Sequence, residues 1–186
     1  MILDNLKDFQ WLNDPVDVFF DDKGMNVLAR EKTDFWQSLH HNFAKDNGHF
    51  FYAYKTGNFS LTIKWSFKSL NNFQQAGIMV RVDERNWIKA SLMYDDAKFP
   101  RLGTALTQKG YSDWASQNLP HEVNEIWYKI VRKDGDYVVS FSLDGVVFSQ
   151  IRLAHLMRDN PEVKVGAFIC SPQVSGFEAT LEMIEC

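Results

Sequence analysis

Hydrophobic and polar residues alternate with period two along nearly the whole chain, a pattern that predicts strands and almost no helix. The chain is organised around Gln75–Tyr94, which reads as two strands joined by a polar turn at Asp83–Asn86. Alternation puts Ala76, Ile78, Val80, Val82, Ile88, Ala90, Leu92 and Tyr94 on one face, a core face. The other face carries Gln75, Gly77, Met79, Arg81, Trp87, Lys89, Ser91 and Met93. Two cations, an amide, a hydroxyl and an indole make that second face a candidate binding surface.

The same reading extends in both directions. Val16–Phe20 and Met25–Arg30 flank a turn at Asp21–Gly24, and His49–Tyr54 precedes Phe59–Phe67, with Phe59, Leu61, Ile63 and Trp65 facing a core. Arg101–Gln108 is a further strand, followed by a less regular piece. Asp-Gly turns at 134–135 and 144–145 mark hairpins. Val146–Leu153 is expected as a strand and Leu153–Asn160 as a helical turn closed by Pro161. Two more strands finish the chain. A dozen or so strands without a fixed repeat predict a two-sheet antiparallel sandwich, all-β and of the jelly-roll kind, with a closed barrel second. One domain over residues 1–186 is expected.

Composition supports a large core. Hydrophobic residues make up 45%, with fifteen Phe, six Trp and six Tyr, enough to fold without disulfides or metal. A net charge of −4 argues against bulk attraction to nucleic acid or an anionic membrane and leaves a local basic patch open. Cys170 and Cys186 make no secreted framework, and Cys170, in an apolar run, reads as a buried small hydrophobe. Asp4, Lys7 and Asp8 interrupt any signal-like start, and no run is long enough to span a bilayer. A soluble cytoplasmic setting is the expectation.

Catalytic patterns are sparse. Glycoside hydrolysis needs two carboxylates close together. The pairs Asp83–Glu84 and Asp95–Asp96 lie in turns, and Glu178 and Glu182 on one strand face are roughly 13 Å apart. His40, His41, Asp46 and His49 do not form a metal-ligand spacing, and Asp46–Asn47–Gly48 is what a turn requires. Neither a nucleophile elbow nor a phosphate-cradling glycine loop is present, so no cofactor and no metal are expected. Among the tryptophans, Trp65 reads as core, whereas Trp87 and Trp114 read as exposed. An exposed indole beside Arg81, Lys89 and Gln75 could stack on a sugar ring while the polar groups bond its substituents. The plainer alternative is that the two cations only form surface ion pairs.

Six motifs occur in order: "TDFW" (33–36), "DNGHFFY" (46–52), "QAGIMVRVDERNWIKA" (75–90), "YSDWAS" (111–116), "FSLDG" (141–145) and "CSPQVSGFEAT" (170–180). Together they resemble the DUF1349 family, also labelled regulation of enolase. The resemblance implies a concanavalin A-like sandwich whose concave sheet is lined by Trp36, Asp46, His49, Gln75, Met79, Arg81, Lys89, Ser112, Trp114 and Ser171. Gln108 departs from the family pattern, where a basic residue is common, although Lys109 follows it.

The expected function is a non-catalytic domain binding a carbohydrate or similar small polar ligand. In it Trp36, Trp87 and Trp114 stack while Gln75, Arg81, Lys89 and His49 hydrogen-bond. The family label adds a regulatory role in carbohydrate metabolism. Two alternatives stay open. One is a glycan-acting enzyme with His49 or Asp46 as acid/base and Arg81 stabilising charge. The other is a regulatory or scaffolding protein holding a protein partner, with a homodimer as one form of that. Neither nucleic acid nor membrane is expected as a partner.

Overall fold

A computed structural model of the chain describes residues 6–38, 43–68, 73–94, 99–119, 122–157, 161–173 and 176–186. After a 3-10 turn at Leu6–Asp8 the described residues form seventeen strands. The first seven are β1 (Gln10–Leu12), β2 (Asp17–Phe20), β3 (Met25–Ala29), β4 (Phe35–Gln37), β5 (Ala44–Asp46), β6 (His49–Thr56) and β7 (Phe59–Ser66). Next come β8 (Gln75–Asp83), β9 (Asn86–Met93), β10 (Arg101–Gln108), β11 (Tyr111–Ser112) and β12 (Ala115–Asn118). The last are β13 (Glu125–Lys133), β14 (Asp136–Ser142), β15 (Ser149–His155), β16 (Glu162–Cys170) and β17 (Phe177–Glu185).

These strands build a two-sheet antiparallel jelly-roll sandwich. One sheet runs β1-β6-β16-β8-β9-β10-β11, with β12 also on β10; the other runs β15-β14-β13-β7-β17-β3-β2. The chain changes sheets between β6 and β7 and again between β16 and β17, so neighbours in sequence face each other across the core. Ile78, Val80, Ile88 and Ala90 from the first sheet meet Leu61, Ile63, Trp65 and Tyr128 from the second, all fully buried. The parity read for the β8–β9 hairpin holds, and its turn falls at Asp83–Asn86, where Asp83 Oδ1 accepts the Arg85 amide at 2.9 Å.

Two expectations are corrected. Leu153–His155 is strand, not helical turn, because β15 pairs with β14 as far as Asp136↔His155; residues 158–160 lie outside the described residues. The strand expected from Val146 begins only at Ser149. Asp144 Oδ1 accepts the Val146 and Val147 amides at 2.8 and 2.9 Å, which holds those residues in a loop and leaves both valines exposed.

A separate two-stranded hairpin, β4–β5, carries Trp36 opposite Lys45. It lies over the outer face of the first sheet. Phe35 seats it there: fully buried, it packs edge-on to Phe168 at 6.2 Å and against Gly48, where any β-carbon would lie 2.5 Å from the ring.

Candidate functional site

The outer face of the first sheet holds a second apolar cluster, separate from the inter-sheet core. Phe35, Phe50, Tyr52, Met79, Trp87, Phe168 and Cys170 form it, with Trp114 packed at its margin. Hairpin β4–β5 covers this cluster, so the mixed face read from the sequence is roofed over much of its length.

The roof is fastened by the two cations of that face. Arg81 makes a bidentate pair with Asp46, Nη1–Oδ1 at 2.6 Å and Nη2–Oδ2 at 2.7 Å, with its guanidinium 5.8 Å from the Phe35 ring centre. Lys89 is 1% exposed and has an acceptor for each of its three protons: Phe35 O at 2.8 Å, Gln75 Oε1 at 3.2 Å and Asp34 Oδ1 at 3.5 Å. An ammonium so deeply buried needs such partners, since desolvation otherwise costs several kcal/mol. Ser91 donates to the same Gln75 oxygen at 3.0 Å. Cys170 lies within 3.8 Å of Asp34, and burial together with that carboxylate pushes its thiol pKa up, which makes it inert.

Beside the roof a cleft of about 770 Å³ stays open. Its floor is Asp34, Gln75, Lys89 and Met93; Trp36, Phe43, Phe73 and Trp114 give aromatic walls; Lys45, Arg101, Pro172 and Gln173 complete the lining. Trp114 follows β11 and lies flat over Gly103 of β10, where a β-carbon would stand 2.0 Å from the ring. The floor has unused hydrogen-bonding capacity. Gln75 Nε2 spends one proton on Phe73 O at 3.3 Å, and Asp34 is engaged through Oδ1 alone. A donor and an acceptor are left side by side.

Of the residues singled out in the sequence, Trp36, Gln75, Lys89 and Trp114 line this cleft. The others do not. Trp87, expected to be exposed, is fully buried, because Phe35 and Phe168 close over the hairpin's outer face; its indole N–H donates to Glu84 O at 3.3 Å. Met79 is buried in the same cluster. Arg81 and Asp46 hold one another.

His49, expected to hydrogen-bond a ligand or act as acid/base, has both ring nitrogens occupied. Nδ1–H donates to Asn13 O at 2.8 Å, and Nε2 accepts the Arg30 amide at 2.9 Å. Burial pushes its pKa down. Ser112 Oγ accepts the Gln37 amide at 3.0 Å and meets Thr107 Oγ1 at 2.6 Å, pinning the end of β4. Ser171 is buried, with its amide on Thr33 Oγ1 at 3.0 Å.

Asp46–Asn47–Gly48 is a turn whose Asn47 Oδ1 accepts the Asp34 amide at 3.0 Å, and among the described residues no cluster of His, Cys, Asp or Glu is placed to hold a metal ion. His40, His41, Asp95 and Asp96 lie outside the described residues. Gln108 Oε1 accepts the Met157 amide at 2.8 Å, and Lys109 belongs to the neighbouring turn, so neither lines the cleft. Among the described residues no helix is long and apolar enough to cross a membrane.

Asp34, Phe43, Lys45, Phe73 and Arg101 are the cleft residues that the sequence reading missed. Asp34 sits inside the "TDFW" motif, and that was the one signal available.

A β-sandwich with a roofed outer sheet and an aromatic-walled cleft is the class that fold and geometry define. Within it, the chain belongs to the family described as a protein of unknown function, DUF1349, whose model matches residues 11–186. Regulation of enolase protein 1 from Saccharomyces cerevisiae is 31% identical over 173 residues, covering 91% of this chain and 84% of that protein. A crystal structure of a functionally unknown protein from Saccharomyces cerevisiae has a TM-score of 0.89 at 28% identity, covering 97% of this chain and 96% of that one. Two likenesses are of fold alone. A mutant of the GH43 protein BlXynB from Bacillus licheniformis gives a TM-score of 0.73 at 16% identity, covering 96% of this chain and 36% of that one. The carbohydrate-binding module CBM66 from Bacillus subtilis gives 0.59 at 14%, covering 95% and 93%.

Proposed function

We propose that the protein is a non-catalytic carbohydrate-binding domain whose site is the cleft between hairpin β4–β5 and β10. The observation that carries this reading is the combination of flat aromatic walls with an unpaired donor and acceptor on the floor. A pyranose ring stacks its C–H face on an indole, and neighbouring hydroxyls then need one acceptor and one donor. Trp36 and Trp114 supply the walls, Asp34 Oδ2 the acceptor and Gln75 Nε2 the donor. The fold likeness to a carbohydrate-binding module agrees with it. So does the lining of the cleft, where Asp34 is the one carboxylate among the described residues and is tied to Lys89. Two-carboxylate glycoside chemistry has no second partner there.

The test is a glycan array followed by titration of intrinsic tryptophan fluorescence. Binding that quenches the wild type and falls at least tenfold in Trp114→Ala, with an unchanged circular dichroism spectrum, is the expected result. Silence across the array in both assays would count decisively against the reading. A regulatory role in carbohydrate metabolism is the second reading, favoured by the name of the Saccharomyces cerevisiae relative; it requires the liganded domain to contact a further protein.

A further inference from the structure

Building on the saccharide reading, we infer that the ligand is acidic: a saccharide whose ring carries a carboxylate or a phosphate. The charge of the cleft runs against that of the chain. Overall the chain is at −4, yet the described lining holds three basic side chains, Lys45, Lys89 and Arg101, against the single carboxylate of Asp34. Lys89 and Asp34 offset one another on the floor at 3.5 Å. The positive balance therefore comes from Lys45 and Arg101, both half-buried and contributed by different elements.

Their positions relative to the indoles give the inference its geometry. Trp36 and Lys45 are direct cross-strand partners in β4–β5, so both side chains leave the same face of the hairpin. Arg101 and Gly103 are two residues apart on β10 and share a face, and Trp114 lies on Gly103. Each stacking surface thus has a cation next to it. Lys45 spends one proton on Lys32 O at 3.1 Å and keeps two for a guest. A neutral sugar uses the indole and the floor but leaves the cations idle. A ring with an anionic substituent at its edge uses all three, and the field of two cations in a half-enclosed cleft favours it further.

The experiment compares matched ligands on the full chain by calorimetry. Methyl glucoside, methyl glucuronide and glucose 6-phosphate form one set; neutral and glucuronate-bearing xylo-oligosaccharides of equal length form another. At low salt the acidic member of a pair should bind about fivefold more tightly or better, with the margin narrowing at high salt. The two acids separate a carboxylate ligand from a phosphate one. Lys45→Met and Arg101→Met should each erase most of the margin while leaving affinity for the neutral member within about twofold. Equal affinity for neutral and acidic members overturns the inference and leaves the saccharide reading standing. Heat from no saccharide overturns both, as does tighter binding of adenosine monophosphate than of any sugar.

Discussion

Gly103 shows how much of the site depends on single atoms. The Trp114 ring occupies the space a side chain would take, 2.0 Å from an ideal β-carbon, so Gly103→Ala must push the indole off the wall. The ring is the free end of a side chain at the margin, and the strand itself need not move. We expect saccharide affinity to fall at least tenfold while the melting temperature shifts by only a few degrees. His49 makes the opposite case, a residue that matters to the fold and not to the cleft. In the folded chain its ring is held neutral by burial, with Nε2 accepting the Arg30 amide, so its pKa lies below the ordinary 6.5. The unfolded chain takes up the proton first. Stability is therefore complete above about pH 6.5 and declines as pH falls below it, by at most about 1.4 kcal/mol per unit. Thermal melts from pH 7 downward check this against His49→Gln, whose amide can accept and donate without titrating and should flatten that part of the profile. Neither role could be read from residue type. A glycine and a histidine in strands look alike whether they support an indole or a loop.

The β4–β5 hairpin is the element that sequence reasoning left out, and it rearranges the site. Parity along β8 and β9 put Gln75, Arg81, Trp87 and Lys89 on one face, and they are there, but parity says nothing about what lies above that face. With three residues in each strand, β4 and β5 are too short to show a period. The roof they form turns Trp87 into core and Arg81 into a fastening. Asp46 is about one-third exposed and Arg81 nearly buried, so the pair belongs between surface and interior cases. Asp46→Asn should cost about 1–3 kcal/mol, most of it the guanidinium left without its carboxylate. The effect should be local. Hydrogen exchange should accelerate at the amides of Phe35–Gln37 and Ala44–Asp46 and remain slow in β8 and β9. Uniform acceleration would mean that the hairpin is no separate roof. Saccharide affinity should fall with it, since Trp36 and Lys45 ride on the hairpin.

At the scale of the whole molecule the two sheets are joined by polar atoms as well as by apolar area. Tyr128 rises from β13 in one sheet, crosses the core, accepts the Leu92 amide at 2.7 Å and donates to Ala76 O at 3.3 Å in the other. Trp65 does the same from β7, its indole N–H reaching Gly77 O at 3.0 Å. The sandwich and its inner faces were legible in the alternation, because core burial obeys period two wherever strands are long. These crossings were not, because a phenol and an indole on a core face read as bulk. They bear on the cleft directly: Gly77, Leu92 and Ala76 flank Gln75 and Met93 on the same two strands. Tyr128→Phe keeps the ring and removes the oxygen, leaving the Leu92 amide buried without a partner. The expected loss is about 1–3 kcal/mol in urea unfolding with an unchanged m-value. If residues 6–186 fold as one unit, tryptophan fluorescence and far-ultraviolet circular dichroism should shift to the same lower midpoint. Two separated midpoints would show that the sheets unfold independently, and the floor of the cleft would then owe its shape to the roof alone.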